Sequence, residues 1–223
     1  MIRHILEQGI LEMGLMVVEK DIRAYESFAD ELKKWNRKLN LTAITDDTDV
    51  AVKHILDSLF LAYYVNDGER ILDIGSGAGI PAIPLKIARP KVTVVSVDAV
   101  AKKINFQRHV CRLLALHDFE ALHSRVEDLQ KKPIERFDVI TSRAFSSLEH
   151  FVTLAKPLLV DGGRIIAMKG PASDNEVEMA SEALDQMGFK ISAVNPYNLP
   201  FNAGKRRIIV LSSGQALLNG CLR

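Results

Sequence analysis

LDIGSGAGIP, residues 72–81, is the stretch that decides the fold of this chain. A short apolar run leads into it, three glycines follow at alternate positions, and a helical pattern resumes after them. Glycine lets a backbone turn sharply and come close to a ligand. In an open parallel sheet such ligands lie outside the carboxyl ends of the strands. The stretch therefore predicts a strand, a ligand-binding turn and a helix, in that order.

The spacing of the glycines separates two classes of ligand. A dinucleotide-binding loop follows the pattern G-x-G-x-x-G, which would require its third glycine where Ile80 stands. The observed pattern is G-x-G-x-G, with Asp73 two positions before the first glycine. This pattern is typical of methyltransferases that use S-adenosylmethionine (SAM), so Gly75, Gly77 and Gly79 are the first candidates for cofactor contact. A nicotinamide oxidoreductase stays a rival that a cofactor-binding measurement would separate.

Strands and helices alternate along the chain after this loop. Further short apolar runs lie at 92–98, 119–123, 137–142 and 163–168. Helical patterns lie between and after them, at 80–89, 100–116, 146–157 and 174–188. Ser173 and Glu176 form a capping box for the last of these helices. Such alternation predicts a parallel, doubly wound sheet.

The end of the chain departs from this alternation. Two apolar runs, 189–195 and 206–211, have no helix between them, which predicts an antiparallel hairpin at the sheet edge with its loop at 196–204. Asn195-Pro196-Tyr197 is interpreted as turn chemistry within that loop. The fold class is therefore α/β: a Rossmann-like class I SAM-dependent methyltransferase fold, with a seven-stranded, mostly parallel sheet and an antiparallel last strand.

The first 64 residues show no strand pattern and are predicted to be helical. Two amphipathic stripes are followed by a third helix that Asp49 is expected to cap, and Trp35 is expected to pack in the core. We predict a single domain with three parts: a helical extension at 1–64 packed on the core, a methyltransferase domain at 65–214 and a tail at 215–223.

Composition narrows the class of protein further. Hydrophobic residues make up 48% of the 223 residues, which argues against disorder. Lys and Arg number 29 against 28 Asp and Glu, so a nucleic-acid partner would need local basic patches. The two cysteines lie far apart and no metal-ligand spacing occurs, so neither a disulfide framework nor a metal site is expected. The chain has no signal-peptide pattern or membrane-spanning apolar run, and a cytoplasmic location is expected.

Two acidic positions are candidates for holding the adenosyl group. Asp98 ends the second strand, at roughly the 20-residue offset at which a carboxylate accepts ribose hydroxyl hydrogen bonds; a strand-end cap is the alternative. Glu127 follows the third strand, where methyltransferases of this fold often bind adenine. Asp128 could take that role instead. The alternative is that these acids only begin a surface helix and bind no ligand.

The tip of the fourth strand indicates the acceptor chemistry. Arg143 stands there, where enzymes that methylate an exocyclic amine commonly carry an Asn/Asp-Pro-Pro-Tyr-like clamp. A cationic tip suits an acceptor with a free lone pair, such as guanine N7. Arg143 and Lys169 are the candidate catalytic residues and could hold the guanine O6 edge or a phosphate. A salt bridge to a carboxylate is the alternative for each, and Arg143 could also bind the SAM carboxylate.

Five strings, taken in order along the chain, resemble one bacterial family, the ribosomal RNA small subunit methyltransferase G (glucose-inhibited division protein B) family. They are WNRKLNLT at 35–42, KHILDSL at 53–59, LDIGSGAGIP at 72–81, SRVE at 124–127 and SRAF at 142–145. The combination is specific, whereas the glycine string alone would indicate only a SAM-binding fold. One departure is Ala82, where the family often has glycine; alanine is the better helix former there.

The resemblance implies methyl transfer from SAM to N7 of a specific guanine in 16S ribosomal RNA, by a cytoplasmic monomer acting on the small ribosomal subunit or its RNA. It also implies SAM contacts, which fall on Gly75, Ile80, Asp98, Val126, Glu127 and Arg143. A methyltransferase for a small metabolite and a non-catalytic SAM-binding protein stay open as alternatives.

Several residues outside the cofactor site are candidates for RNA contact. His54, Asp57 and Ser58 share a helix face; a hydrolase triad is rejected because one helical turn cannot place an acid behind the histidine. Basic clusters at 33–38 and 205–207 could contact phosphates or be solvated surface. The candidates for RNA contact are Asn36, Arg37, His54, Asp57, Ser58 and Arg206.

Overall fold

The computed structural model describes residues 1–131, 133–145, 147–170 and 174–213. Seven strands form one sheet in the order β3-β2-β1-β4-β5-β7-β6. The strands are β1 (Arg70–Ile74), β2 (Thr93–Asp98), β3 (Phe119–His123), β4 (Phe137–Ser142), β5 (Leu159–Lys169), β6 (Phe189–Asn198) and β7 (Lys205–Ser213).

The sheet is parallel from β3 to β5, and β7 runs antiparallel between β5 and β6. This confirms the predicted mostly parallel sheet, its antiparallel last strand and the terminal hairpin. The interpretation of Asn195-Pro196-Tyr197 as turn chemistry was wrong, because β6 runs through to Asn198 and Tyr197 pairs with Arg206 of β7. Pro196 is tolerated because β6 is an edge strand.

The helices in the described residues are α1 (Ile2–Glu12), α2 (Glu19–Leu39), α3 (47–64), α4 (Ala82–Ala88), α5 (Ala101–Leu113), α6 (Val126–Leu129), α7 (Leu148–Ala155) and α8 (Asp174–Gln186). The end of α3, Phe60–Tyr64, is 3₁₀, and two further short 3₁₀ turns lie at Lys156–Leu158 and Pro200–Asn202. Within the described part of the chain, no helix combines the length and apolar character needed to cross a membrane. The capping box predicted at Ser173 lies outside the described residues.

Side chains alternate between the two faces of the sheet, as strand geometry requires. Leu72 and Ile140 belong to the cluster that α7 and α8 cover, whereas Ile71 and Val139 belong to the opposite face. On that opposite side the three N-terminal helices share one apolar cluster with α4 and α5. Trp35 lies edge-on to Phe106 of α5 at 5.6 Å between ring centroids, as the core interpretation expected. The domain boundaries stay a prediction, and the tail at 215–223 lies outside the described residues.

Helix α3 is irregular in a way that matters for the site. Its first turn is capped by Asp46, whose carboxylate accepts hydrogen bonds from the backbone N–H of Thr48 and Asp49. The expectation that Asp49 caps this helix was wrong; its side chain instead pairs with Lys53, one turn along. The segment Val50–Leu56 is π-helical, and such wide turns occur most often at functional sites.

Candidate active site

The glycine loop after β1 forms an open cradle at the carboxyl edge of the sheet. Gly75, Gly77 and Gly79 have φ values of 71°, 57° and 82°, a left-handed region that favours glycine. The N–H of Gly75 donates to the Val97 carbonyl and that of Gly77 donates to Asp98 Oδ2, each at 2.9 Å. A Cβ added at Gly77 would meet nothing within 4 Å. The loop therefore leaves space above its backbone, where the cofactor is expected.

Buried polar side chains hold this loop from behind. Gln107 of α5 is fully buried and donates from Nε2 to the Gly77 carbonyl and to Ser76 Oγ, both at 2.8 Å. Ser96 of β2 donates to Ser76 Oγ at 2.6 Å. The sequence analysis missed Gln107 and Ser96, because nothing in their local pattern separates them from ordinary polar positions. The network fixes the loop backbone without touching the space above it.

Asp98 ties the loop to the end of β2. One carboxylate oxygen accepts from the Gly77 N–H at 2.9 Å and the other accepts from the Val100 N–H at 2.8 Å. Its side chain is buried, and the Lys103 ammonium lies 4.0 Å away. The structure thus shows the strand-end cap that was the alternative for this residue. Each carboxylate oxygen can accept a further bond, so the ribose contact stays a prediction.

A cleft of about 330 Å³ opens beside the loop. Its walls include Gly75, Asp98, Val126, Glu127 and Phe145, so the structure brings four of the predicted cofactor residues to one place. Asp128 is not part of this wall.

The two acidic candidates for adenine differ in their surroundings. Glu127 is exposed in the cleft, whereas the carboxylate of Asp128 pairs with Lys131 at 3.0 Å. This geometry favours Glu127. Ile80 does not line the cleft: its N–H donates to the Ser76 carbonyl at 2.9 Å, and its side chain packs with the N-terminal cluster. The SAM contact implied for Ile80 stays a prediction.

The acidic residue of the glycine motif is buried beneath the loop. Asp73 has 1% of its surface exposed, and its Oδ2 has no hydrogen-bond partner in the described part of the chain. Burial raises the pKa of this carboxyl to about 7. An unpartnered buried oxygen under an open cradle is compatible with a polar, cationic ligand above it. Together with the exposed Glu127 carboxylate, the cradle fits an adenosyl group that carries an amino acid.

A second cluster lies at the tip of β4, and a buried carboxylate forms its centre. Asp57 of α3, 2% exposed, forms an ion pair through Oδ2 with Arg143 Nη2 at 3.0 Å, and its Oδ1 accepts a hydrogen bond from the Tyr197 hydroxyl at 2.7 Å. Arg206 Nε lies 4.0 Å from Oδ2. Tyr197 also stacks on Phe60 at 4.0 Å between ring centroids. We call Asp57, Arg143, Tyr197 and Arg206 the Asp57 cluster.

The Asp57 cluster carries two cations around one anion. Arg143 also donates from Nη2 to the Lys53 carbonyl at 3.1 Å, while its Nη1 is buried without a partner among the described residues. Burial and the nearby Asp57 carboxylate raise the pKa of Tyr197, so this hydroxyl stays protonated. The surplus positive charge suits an anion or an electron-rich base edge.

His54 lies beside this cluster and is neutral. Its Nε2 shares a hydrogen bond with Thr42 Oγ1 at 2.9 Å. Burial, with a smaller contribution from the Arg143 charge, lowers its pKa to about 4. The Ser58 hydroxyl is buried and donates to the His54 carbonyl. Asn36 uses its amide on Thr42, accepting from the backbone N–H at 2.9 Å and donating to the carbonyl at 3.0 Å.

These contacts assign structural partners to three predicted RNA residues: Asn36, His54 and Ser58. Their roles in RNA contact stay predictions. Lys169 also has partners: its ammonium donates to the Phe145 carbonyl and to Glu176 Oε1, each at 2.7 Å. This is the salt bridge that was the alternative for Lys169, and its catalytic role stays a prediction.

The arrangement has a clear chemical limit. The strand tip carries Arg143 where an amine-methylating enzyme places its hydrogen-bonding clamp, and the adjacent His54 is tied to Thr42. The described residues at this tip therefore supply positive charge and fixed hydrogen-bond donors, but no poised base. Such a site suits transfer to an atom that already has a free lone pair.

Comparisons with known proteins show which family this chain belongs to. The family model described as rRNA small subunit methyltransferase G matches residues 21–209. The ribosomal RNA small subunit methyltransferase G of Geobacter sulfurreducens is 48% identical over 206 residues, covering 92% of this chain and 95% of that protein.

Two solved structures share the fold at low sequence identity. The precorrin-6y C5,15-methyltransferase of Geobacter metallireducens GS-15 has a TM-score of 0.55 and 15% identity, covering 71% of this chain and 87% of that chain. A SAM-dependent methyltransferase from Thiobacillus denitrificans, solved with S-adenosyl-L-homocysteine, has a TM-score of 0.53 and 11% identity, covering 70% and 90% of the two chains.

Proposed function

The chain belongs to the rRNA small subunit methyltransferase G family, and we propose that it methylates N7 of a specific guanine in 16S ribosomal RNA. It is a SAM-dependent methyltransferase, and its family acts on small-subunit rRNA. When bound, SAM supplies an electrophilic methyl group on a sulfonium centre. The glycine loop 75–79, Asp98, Val126 and Glu127 are the residues that would hold it.

The choice of N7 rests on the tip of β4, where the buried Asp57 carboxylate pairs with Arg143. Guanine presents two acceptors on one edge, N7 and O6, and arginine is the side chain that most often binds that edge. N7 carries a lone pair and no proton, so the protein has no proton to remove. The absence of a poised base among the described residues at this tip supports an acceptor of this kind.

The protein's own contribution is positioning. The Asp57 cluster holds two guanidinium groups in place, so Arg143 can contact O6, a phosphate or the SAM carboxylate without reorganising. Orientation of this kind can replace acid–base assistance as the main source of rate enhancement. A stacked or paired guanine must first leave its stack, at a cost of about a few kcal/mol. Phe145 offers an aromatic surface in the cleft wall.

The proposal extends to the form and place of action. We propose that the enzyme works as a cytoplasmic monomer on the small ribosomal subunit or on its RNA. The near-neutral balance of 29 basic and 28 acidic residues means that RNA contact would depend on local cations such as Arg37 and Arg206 rather than on a global field.

The test is methyl transfer from labelled SAM to small subunits from cells that lack this gene, followed by mass spectrometry of the RNA nucleosides. New 7-methylguanosine is the expected result. Label in another nucleoside would keep the RNA substrate and overturn the N7 assignment. Transfer to a metabolite but not to RNA, or SAM binding with no transfer at all, would overturn the proposed function.

A further inference from the structure

A groove separate from the SAM cleft lies at the end of α2, against the segment 40–45. Its volume is about 440 Å³, which is within the range of sites that hold small ligands. Ile44, with the fully buried Leu32 behind it, gives it an apolar floor, whereas Arg37, Asn40 and Thr45 give it a polar rim. An apolar floor with a few polar groups at its edge suits a flat, partly polar group such as a nucleobase.

The cations around this groove are not equivalent. Lys33 pairs with Asp47 at 2.7 Å and Lys34 pairs with Glu31 at 3.0 Å. Arg37 and Lys38 are exposed, and neither has an ionic or hydrogen-bond partner in the described ranges. Of the basic run at 33–38, only these two cations are therefore left for a ligand. Their positive charge is complementary to a phosphate.

Acidic residues near the groove are already engaged. Asp46 accepts hydrogen bonds from the N–H groups at the start of α3, where the helix dipole favours negative charge. Asp47 is the partner of Lys33. Among the described lining residues, Arg37 is therefore the cation without a paired carboxylate, and the exposed Lys38 follows it on the helix. Their charge favours an anionic occupant over a neutral or basic one.

A short chain of hydrogen bonds connects the groove to the Asp57 cluster. Asn36 lies in the groove wall, and its side-chain amide bonds both the N–H and the carbonyl of Thr42. Thr42 Oγ1 in turn shares a hydrogen bond with His54 Nε2. The backbone carbonyl of Lys53, the residue before His54, accepts a hydrogen bond from Arg143. The groove wall and the Asp57 cluster are thus joined through Asn36, Thr42 and His54, which makes the groove the candidate place for RNA that extends beyond Arg143.

We propose that this groove binds a nucleotide of the substrate RNA that flanks the target guanine. Its base would lie on Ile44, and its phosphate would contact Arg37, with Lys38 as the next cation on the helix. The inference rests on the proposed function, since it requires RNA as the substrate. The proposal gives Asn36 a positioning role, because the Asn36 amide bonds the Thr42 backbone and so shapes the groove wall.

The test measures steady-state methylation of unmethylated small subunits and of protein-free 16S RNA by Arg37→Ala, Lys38→Ala and the double variant. Lys34→Ala is the matched control, because it removes a cation from the same helix that is already paired. The double variant should raise the KM for RNA by about tenfold or more. It should also lower the slope of log KM against log salt by about 0.7 for each phosphate that the protein no longer neutralises. SAM affinity should stay unchanged, which also shows that the variant folds.

The outcomes separate this inference from the proposed function. If wild-type protein forms no 7-methylguanosine, the proposed function fails. If it does, and the double variant keeps the wild-type KM and salt slope, the groove proposal is wrong. A defect on assembled subunits with normal activity on protein-free RNA would assign the groove to a ribosomal protein and also overturn the proposal. A photo-reactive benzophenone residue at Thr45 should cross-link to RNA; cross-linking to protein alone contradicts it.

Discussion

The two proposed halves of the candidate active site are built on different principles. The proposed SAM half consists of the glycine loop, Asp98 and Glu127, all within the first three strands and the turns that follow them. Its key contacts are made by backbone groups, such as the Gly77 N–H on Asp98. The acceptor half is the Asp57 cluster, which takes one residue from α3, one from the β4 tip and two from the β6–β7 hairpin.

This difference has a consequence for how each half tolerates change. In the SAM half, removal of the exposed Glu127 carboxylate would take away one interaction proposed for the ligand, while Asp98 and Gln107 would still hold the loop backbone. In the acceptor half, one buried carboxylate organises two guanidinium groups and a hydroxyl, so its removal disturbs every member. We therefore expect equal substitutions to have unequal effects in the two halves.

The largest effect is expected for Asp57→Asn. This change keeps the shape but leaves Arg143 and Arg206 without their anion, so kcat/KM for RNA should fall by about a hundredfold or more, and the free energy of unfolding should fall by about 3 kcal/mol. Methylation assays and urea unfolding would measure both. The matched control is Asp49→Asn on the same helix, whose exposed pair with Lys53 should contribute less than about 1 kcal/mol.

An Asp57→Asn enzyme with wild-type kcat/KM would show that the cluster is structural rather than part of the acceptor site. SAM affinity should change less than RNA kinetics in this variant. The reverse order of effects would place Arg143 chiefly on the SAM carboxylate, and the division into two halves would then have to be redrawn.

The next prediction compares two buried groups that adjoin the two halves, His54 beside the Asp57 cluster and Asp73 before the glycine loop. Burial lowers the pKa of His54 from 6.5 to about 4, so the unfolded chain binds the proton first and stability is lost as pH falls from about 6.5 to 4. Burial raises the pKa of Asp73 from 3.8 to about 7, so stability is lost as pH rises through that same window. Each change amounts to at most about 4 kcal/mol.

These opposite slopes can be separated by substitution. His54→Gln removes the contribution of His54 to the pH dependence, and that of Asp73 remains. The unfolding free energy of this variant should therefore fall as pH rises from about 4.5 to 6.5. Asp73→Asn keeps the contribution of His54, so its unfolding free energy should rise over the same pH range. Urea unfolding at both pH values tests this, and parallel pH profiles for the two variants would contradict the assigned pKa shifts.

The smallest effect is expected for Glu127→Ala in the SAM half. Removal of one exposed carboxylate from the cleft should weaken SAM binding by about tenfold, with methyl transfer restored at saturating SAM. Asp128→Ala is the control, because its carboxylate pairs with Lys131 and does not line the cleft. Calorimetry with SAM measures both, and unchanged affinity in Glu127→Ala would remove the adenine assignment.

The same division explains what the sequence could predict. The meeting of Gly75, Asp98 and Glu127 at one cleft was predictable because its signals are local: glycine spacing, an acid at the end of the next strand, and another acid after the third. The antiparallel hairpin was likewise predicted from the missing helix between two apolar runs. Local patterns of this kind determine the backbone geometry of the segment in which they occur.

The acceptor half was predicted only as separate residues. Arg143, Asp57 and Arg206 were candidates, but no local pattern shows that one carboxylate joins them, because the contacts depend on how α3 packs beside the hairpin. Tyr197 was misassigned to a turn, since its Asn-Pro context resembles one, whereas an edge strand accepts proline. Gln107 was missed because burial of a polar side chain depends on partners that only the fold provides.

The position of β7 between β5 and β6 also dictates an order of events during synthesis. Strand β6 leaves the ribosome before β7, yet among the described strands β7 is its one partner in the sheet. Until residues 205–213 emerge, β6 has no strand to pair with, Tyr197 is not held beside Asp57, and Arg206 is still inside the ribosome. The nascent chain can therefore assemble its SAM cradle first and gain its acceptor site only as the final strand closes the sheet.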